Sequence, residues 1–345
     1  MKKVGICGFF GEKNKQFDGQ SVKTKQLQEE LNKVFGSETV MAVNTFGWKS
    51  NPLKLFLNCI SLMKNCESII ILPAQNGIKV FIPLFLFLNK VFNRKLHYVV
   101  IGAWLPELLS ENLYLKNKVS KFNGIYVETN NMIKSLNEMG LKNVNYFPNF
   151  KQLEVLEEKD LGYEIQEPYS LCTFSRVVKE KGIEDAIKVV KNINDSIGRV
   201  VYTLDIYGKV DESYKDRFEE LEKEFPDYIL YKGVINFNES VNVLRGYFTL
   251  LFPTHYKTEG IPGTIIDAYA AGLPVIASNW NSASEIVIHD TTGMIYEFME
   301  SSELEKILFQ AANNPIQLNN MRGNCLRMAN KYLPKTVIGE FVKNL

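Results

Sequence analysis

Short runs of Val, Ile and Leu with little polar alternation recur through the N-terminal half, at 4–9, 39–43, 68–72, 96–101, 124–128 and 143–147. Between them lie longer stretches with helical spacing, at 21–34, 53–64, 78–92 and 132–139. A strand that is apolar on both faces suits a parallel sheet covered by helices on both sides. The alternation predicts a βαβ repeat, and therefore a doubly wound α/β domain.

The rhythm breaks at 154–167, a charged stretch containing Gly162 and followed by Pro168, which has the composition of a linker. It then restarts. Strands are expected at 169–175, 200–207, 228–231, 249–253 and 274–278, with helices at 183–193, 211–225, 238–247 and 263–271 and a mostly helical tail from Ser302. The expected organisation is two Rossmann-like, doubly wound parallel-sheet domains facing a cleft. Residues 1–155 form the first, 168–330 the second, and 331–345 a C-terminal helix that crosses back to the first.

Composition narrows the function classes. The formal net charge is +1, so nothing in the balance demands nucleic acid as a partner. Cys7, Cys59, Cys66, Cys172 and Cys325 form no CxxC pair, and with three histidines the chain lacks zinc-ligand spacing. These cysteines read as buried reduced thiols, and no metal site is expected. The apolar start stops at Phe10, and the greasy run at 80–88 is about half the ~20 residues a spanning helix needs. A cytoplasmic chain without a transmembrane segment is expected.

Ligands of open parallel sheets bind where strands end and helix N-termini point. Four such places are informative. After the first strand, the loop from Gly8 to Ser21 is too long for a dinucleotide fingerprint. Asp18 and Ser21 could cap the next helix, Gly19 would let backbone approach an anion or sugar, and an ordinary surface loop explains the same residues equally well. In Ser175-Arg176-Val177-Val178-Lys179-Glu180-Lys181-Gly182, two cations on a strand-to-helix turn can converge on one anion, although solvated surface cations are the better reading of that segment alone. From Glu259 to Gly272 a Gly-Ile-Pro-Gly turn opens a helix, with Pro262 near its first position and the amides of Gly263 and Thr264 free for a phosphate. Glu259 and Asp267 flank that opening, and carboxylates grip vicinal hydroxyls. Glu285 and Gly293, in a fourth segment, fit a helix start and a tight turn, which capping alone explains.

Together these segments resemble the retaining family 4 glycosyltransferases of GT-B architecture. Ser-Arg-x-x-x-x-Lys-Gly at 175–182 looks like that family's phosphate-binding pair. Glu259 with Asp267 looks like its EX7E motif, and Ala271-Gly272-Leu273-Pro274-Val275, Ser284-Glu285-Ile286 and Gly293 match its flanking signature. The likeness covers about 170–300 and extends to the first domain only in layout. It implies that Arg176 and Lys181 hold the diphosphate of a nucleoside-diphosphate sugar and stabilise charge on it as it leaves, with no metal and no cofactor. It further implies that Gly263 and Thr264 help through their amides, Glu259 contacts the donor sugar, Asp267 holds the ribose, and the segment around Gly233 and Val234 frames the base, with UDP the expected nucleotide. Arg176, Lys181 and Glu259 are the residues expected to be catalytic; Gly19 and Gln20 are added on the donor side.

Two departures stand out. The second acid is Asp267, one methylene shorter than the usual Glu. At 101–106, where many members carry a His facing the donor, this chain has none, and Glu107 nearby fits a helix start as well as any chemical role. His255 fits an ordinary loop residue better than a donor-pocket residue.

The resemblance places the acceptor, a saccharide or lipid-linked saccharide of envelope or capsular polysaccharide synthesis, on the first domain. The apolar stretch 78–88 with Lys90, Arg94 and Lys95, and 53–64 with Lys49, Lys54 and Lys64, suit contact with the inner face of an anionic membrane, or else are core helices. A non-catalytic sugar-nucleotide-binding subunit and a sugar-nucleotide epimerase remain as alternatives, and no dinucleotide fingerprint supports a dehydrogenase.

Overall fold

The computed structural model describes residues 2–11, 19–163 and 166–345. The chain divides into two compact units, one made of residues up to Gln152 together with Pro334–Leu345 and the other of Leu153–Leu333.

In the first unit, strands β1 (Lys2–Gly8), β2 (Val40–Asn44), β3 (Cys66–Leu72), β4 (Lys95–Val99), β5 (Gly124–Val127) and β6 (Val144–Tyr146) form one sheet in the order β2-β1-β3-β4-β5-β6. Every pairing is parallel. Helices α1 (Gly19–Phe35), α2 (Pro52–Asn65), α3 (Ile78–Phe92), α4 (Leu105–Glu111), α5 (Leu113–Val119) and α6 (Asn130–Glu138) connect them. The unbroken apolar runs have the expected cause. In β3, Ile69 and Ile71 face one core while Ile70 and Leu72 face another, so both sides of the strand are buried.

Local chemistry sets the helix ends. The Asn51 side chain accepts from the amide of Lys54 at 3.2 Å, with Pro52 in the first position of α2. Asn112 ends α4 and caps α5, accepting from Leu115 at 2.9 Å. Beyond a helix start near Glu107, the pattern does not predict these two short helices, because each is only seven residues long and the break between them removes the periodic signal. Ser21 lies inside α1 and is fully buried, so it is not the cap expected of it; Asp18 falls outside the described residues. The C-terminal helix Pro334–Val342 covers one face of this sheet, with the Phe341 ring 4.7 Å from Tyr126 and 4.4 Å from Phe147. A buried ion pair, Lys23 Nζ to Glu128 Oε1 at 2.5 Å, ties α1 to the end of β5.

In the second unit, strands β7 (Tyr169–Phe174), β8 (Tyr202–Tyr207), β9 (Ile229–Gly233), β10 (Thr249–Phe252), β11 (Val275–Ser278) and β12 (Gly293–Tyr296) run parallel in the order β12-β11-β10-β7-β8-β9. Helices α7 (Ile183–Ile197), α8 (Lys215–Lys223), α9 (Ser240–Leu244) and α10 (Gly263–Ala270) follow β7, β8, β9 and β10.

Two local readings are corrected. Gly293 is not in a tight turn: it opens β12, where an added Cβ would stand 1.9 Å from the Val275 carbonyl oxygen, so glycine serves close strand approach. The segment read as a linker packs on the second unit, because its apolar residues find partners there. Leu153, Val155 and Leu156 join that unit's core, and the Leu156 amide donates to the Ala270 carbonyl at 2.9 Å.

Candidate active site

The strand order reverses between β7 and β10, the position where an open parallel sheet leaves a crevice at its carboxyl edge. The loops leaving these two strands are fastened to each other. After β7 the chain passes Arg176 and turns through 179–181 to Gly182, whose φ of 67° starts α7 in the left-handed region. A Cβ on Gly182 would lie 1.8 Å from the Pro253 carbonyl oxygen, so the β10 loop sits directly against this turn. The His255 amide donates to the Glu180 carbonyl at 2.7 Å, and the buried Thr254 hydroxyl reaches the same carbonyl at 3.4 Å.

That stitching brings Lys181 to Glu259. The Lys181 ammonium donates to Glu259 Oε1, with the two side chains only 13% and 16% exposed. Thr254 Oγ1 donates to the same oxygen at 3.5 Å. The ammonium lies 5.2 Å above the Phe252 ring and 5.3 Å above that of Tyr256, so two aromatic faces hold the cation where the carboxylate can meet it. An ammonium has three N–H donors and Glu259 takes one, which suits the group for a second anion. Removing either partner would leave a nearly buried charge unmatched.

Arg176 behaves differently. It is 55% exposed, and its Nη1 is 3.5 Å from Asp211 Oδ2. Asp211 is held below the usual carboxylate range first by hydrogen bonds from Ser213 and then by the charges of Arg176 and Lys209. The charges of Glu180, Arg176, Glu259 and Asp211 all act on the Tyr256 hydroxyl, whose pKa is raised chiefly by burial.

The N-terminus of α10 completes the edge. Pro262 is the cap and Gly263 and Thr264 are the first two helical residues, whose amides have no intrahelical acceptor. The Thr264 hydroxyl donates to the Phe174 carbonyl at the end of β7, fixing this helix start against the loop that carries Arg176. Asp267, one turn in, is 2% exposed and accepts from Ser240 Oγ of α9 at 3.2 Å. Val234 follows β9 and is exposed; Gly233, with φ 73°, accepts through its carbonyl from the Gly208 amide at 2.9 Å. Gly208 in turn has only 1.7 Å between a built Cβ and the Ser175 carbonyl oxygen.

Seven of the expected site residues thus lie on the carboxyl edge of one sheet: Arg176, Lys181, Val234, Glu259, Gly263, Thr264 and Asp267. Gly19 and Gln20 belong to the first unit. Gln20 donates to the Leu72 carbonyl at 3.1 Å and lines a cavity of about 360 Å³ beyond β1, β2 and β3, together with Phe9, Phe46, Trp48, Lys49 and Phe81. This cavity also sits at a reversal of strand order, between β1 and β3. Glu107 lies in the first turn of α4 in the first unit, and Glu285 inside the short helix Ala283–Ile286. His255 is occupied structurally, with Nε2 2.7 Å from Asp185 Oδ2 in the first turn of α7.

Sequence reasoning missed Thr254 and Tyr256, which position Glu259 and Lys181. It also missed the aromatic lining of the first unit's cavity, for which the Phe46-Gly47-Trp48-Lys49 cluster after β2 was the available signal.

Comparison with known proteins gives a consistent result. Residues 158–327 match the family described as Glycosyl transferases group 1. A protein of the cps region of Klebsiella pneumoniae is 27% identical over 52% of this chain and 46% of its own length. The GtfA subunit of a UDP-N-acetylglucosamine–peptide N-acetylglucosaminyltransferase from Streptococcus gordonii is 25% identical over 70% of this chain and 47% of its own. CapM, a capsular polysaccharide biosynthesis glycosyltransferase of Staphylococcus aureus, is 33% identical over 35% and 31%. The chain thus spans half or less of the length of these relatives. Among solved structures, Anabaena Alr3699/HepE in complex with UDP and glucose superposes with a TM-score of 0.75 over all of both chains at 15% identity. Residues 158–327 thus match the group 1 glycosyl transferases, and the fold of the whole chain, with its two six-stranded parallel sheets, is that of the Anabaena structure.

Proposed function

We propose that the chain transfers a sugar, with retention at the anomeric carbon, from a nucleoside-diphosphate sugar to a saccharide or lipid-linked saccharide in cell-envelope or capsular polysaccharide synthesis. The observation that carries this reading is the Lys181–Glu259 pair at the β7/β10 reversal, beside the N-terminus of α10. A diphosphate there would meet an ammonium, a guanidinium and helix amides, all donors and all positive. As the donor bond breaks, negative charge grows on the departing phosphate, and donors fixed in advance stabilise that charge without moving. This assigns leaving-group stabilisation to Arg176 and Lys181 and requires no metal for it.

Glu259 has two tasks in this reading: it orients Lys181, and its second oxygen accepts from a donor-sugar hydroxyl. Asp267 accepts from the ribose. Its shorter side chain is held by Ser240, so α9 and α10 together set its reach. The names of similar proteins support a UDP-linked donor, since the Anabaena structure holds UDP and the Streptococcus relative is named for UDP-N-acetylglucosamine. The aromatic and amide lining of the first unit's cavity suits an acceptor sugar, whose C–H faces stack on rings such as Trp48.

The test is thermal denaturation of the full chain with UDP, GDP, ADP or CMP, with and without a chelator, followed by product analysis with the sugar conjugate of whichever nucleotide binds. A rise in Tm with one nucleotide, unchanged by chelator, is expected. No rise with any of them at saturating concentration would remove the donor reading, and an isomerised donor in place of a glycoside would make the chain an epimerase.

A further inference from the structure

Helices α2, α3 and α5 lie side by side on one face of the first unit, α3 touching both of its neighbours. Their inner faces are ordinary core: Leu55, Cys59 and Leu62 on α2, and Ile78, Phe81, Ile82, Phe85 and Leu88 on α3. The outer faces are not ordinary. A surface helix usually carries polar residues there, whereas α3 presents Val80, Phe87 and Val91, spaced seven and four residues apart along one line, beside the partly buried Leu84. Phe87 is 63% and Val91 80% exposed. Leu53 and Leu57 on α2 and Leu113 and Tyr114 on α5 extend this apolar surface.

The charge on the same face has one sign. None of the three helices contains Asp or Glu, while Lys54, Lys64, Lys79, Lys90, Lys116 and Lys118 lie on them, and no acid occurs anywhere from Ser68 to Pro106. Among the described residues, Lys54, Lys64, Lys79 and Lys90 enter no ion pair. Lys118 lies 5.2 Å over the Tyr114 ring, a pairing with one apolar body and one cationic tip. At 15 residues α3 is roughly 22 Å long, shorter than a bilayer's hydrocarbon core of about 30 Å, so it can lie on a membrane but not cross it.

We propose that the α2–α3–α5 face docks on an anionic lipid bilayer, with Leu53, Leu57, Phe87 and Val91 at the acyl boundary and the lysines among the headgroups. An apolar surface ringed by unpaired cations matches that interface in both terms, since lipid supplies the apolar contact and anionic headgroups the opposite charge. A protein partner of ordinary composition would match only one. The proposal is independent of the glycosyl-transfer reading, because it rests on helices outside the second unit.

The experiment is cosedimentation of the full chain with phosphatidylcholine vesicles and with vesicles containing about one third phosphatidylglycerol, at low and high salt. Binding to the anionic vesicles alone is expected, weakened by salt. Replacing Lys79 and Lys90 by Gln should weaken binding about fivefold per charge. The Phe87→Ser, Val91→Ser double variant should weaken it about tenfold or more with an unchanged Tm, since both side chains face outward. Absence of binding to anionic vesicles overturns the proposal. So does binding that survives the Phe87→Ser, Val91→Ser change, which would make the contact purely electrostatic. Vesicle-independent self-association abolished by the same change would assign the face to a second copy of the chain instead.

Discussion

Lys181 donates to Glu259 across the point where the second sheet reverses its strand order, joining residues 78 positions apart. Each side chain is nearly buried, so the pair divides binding from orientation in a way that variants can separate. Lys181→Met removes the donor to the diphosphate. A hydrogen bond to a charged group contributes about 1.5–3 kcal/mol, so UDP affinity should fall roughly tenfold to a hundredfold. Glu259→Gln keeps Lys181 and its charge, and UDP affinity should stay within about threefold while transfer from the intact donor drops by a larger factor. Calorimetry with UDP beside turnover with the sugar conjugate reads both. If Lys181→Met binds UDP like the parent, the diphosphate is held elsewhere.

Arg176 gives the complementary case. It is 55% exposed and reaches Asp211 only at 3.5 Å, so the fold does not depend on it. Arg176→Ala should leave Tm within about 1 °C of the parent, as for surface substitutions generally. Donor turnover should nonetheless fall by more than about tenfold. A variant with parental activity would show that Arg176 is one more solvated surface cation.

The fold was largely legible because both faces of the inner strands, such as β3, β10 and β11, had to be apolar. The bounds of α3, residues 78–92, match the stretch read as a helix from its pattern, and in the structure Asn93 in the left-handed region ends it. What stayed hidden was short or long-range. Strand β12 has four residues, too few for any period, and its opening glycine reads equally well as a turn. At the site, Arg176, Lys181, Glu259 and Asp267 could be named from motif chemistry. That Thr254 and Tyr256 position the Lys181–Glu259 pair could not, because the stretch from Pro253 to Glu259 has no periodicity and its partners come from the β7 loop. The outward stripe of α3 was visible only as excess hydrophobicity, since a core helix and an interfacial helix look alike until one face is found exposed.

Two glycines at the ends of α7 test how tightly the site loops are packed. Gly182 and Gly198 have φ of 67° and 74°, so alanine is disfavoured at either by backbone conformation alone. Gly198 has nothing within 4 Å of a built Cβ, and Gly198→Ala should cost only about 1 kcal/mol. At Gly182 the same atom would stand 1.8 Å from the Pro253 carbonyl oxygen, a contact that backbone cannot yield without moving the β10 loop. Gly182→Ala should therefore cost at least about 3 kcal/mol and weaken UDP binding as well. Urea denaturation gives the first quantity and calorimetry the second. Equal costs at the two positions would mean that the β10 loop does not rest on this turn.

His97 gives the first unit a pH-dependent stability. The ring is 2% exposed, with Nδ1 3.1 Å from the Tyr126 hydroxyl and Nε2 buried without a partner among the described residues. Burial, and secondarily the charge of Lys95, lowers its pKa from 6.5 to about 4. Below pH 6.5 the unfolded chain takes up a proton that the folded unit refuses, so the contribution is complete above pH 6.5 and is lost as pH falls towards 4. The slope approaches about 1.4 kcal/mol per pH unit, and the whole effect is about 3 kcal/mol. His97→Gln keeps a donor and an acceptor for Tyr126 but cannot titrate, whereas the carboxylates are common to both proteins. The difference in unfolding free energy between variant and parent, measured by urea denaturation from pH 7 to pH 4.5, should shift in the variant's favour as pH falls. A difference that stays constant over that range would show that His97 accepts its proton without opposition from the fold.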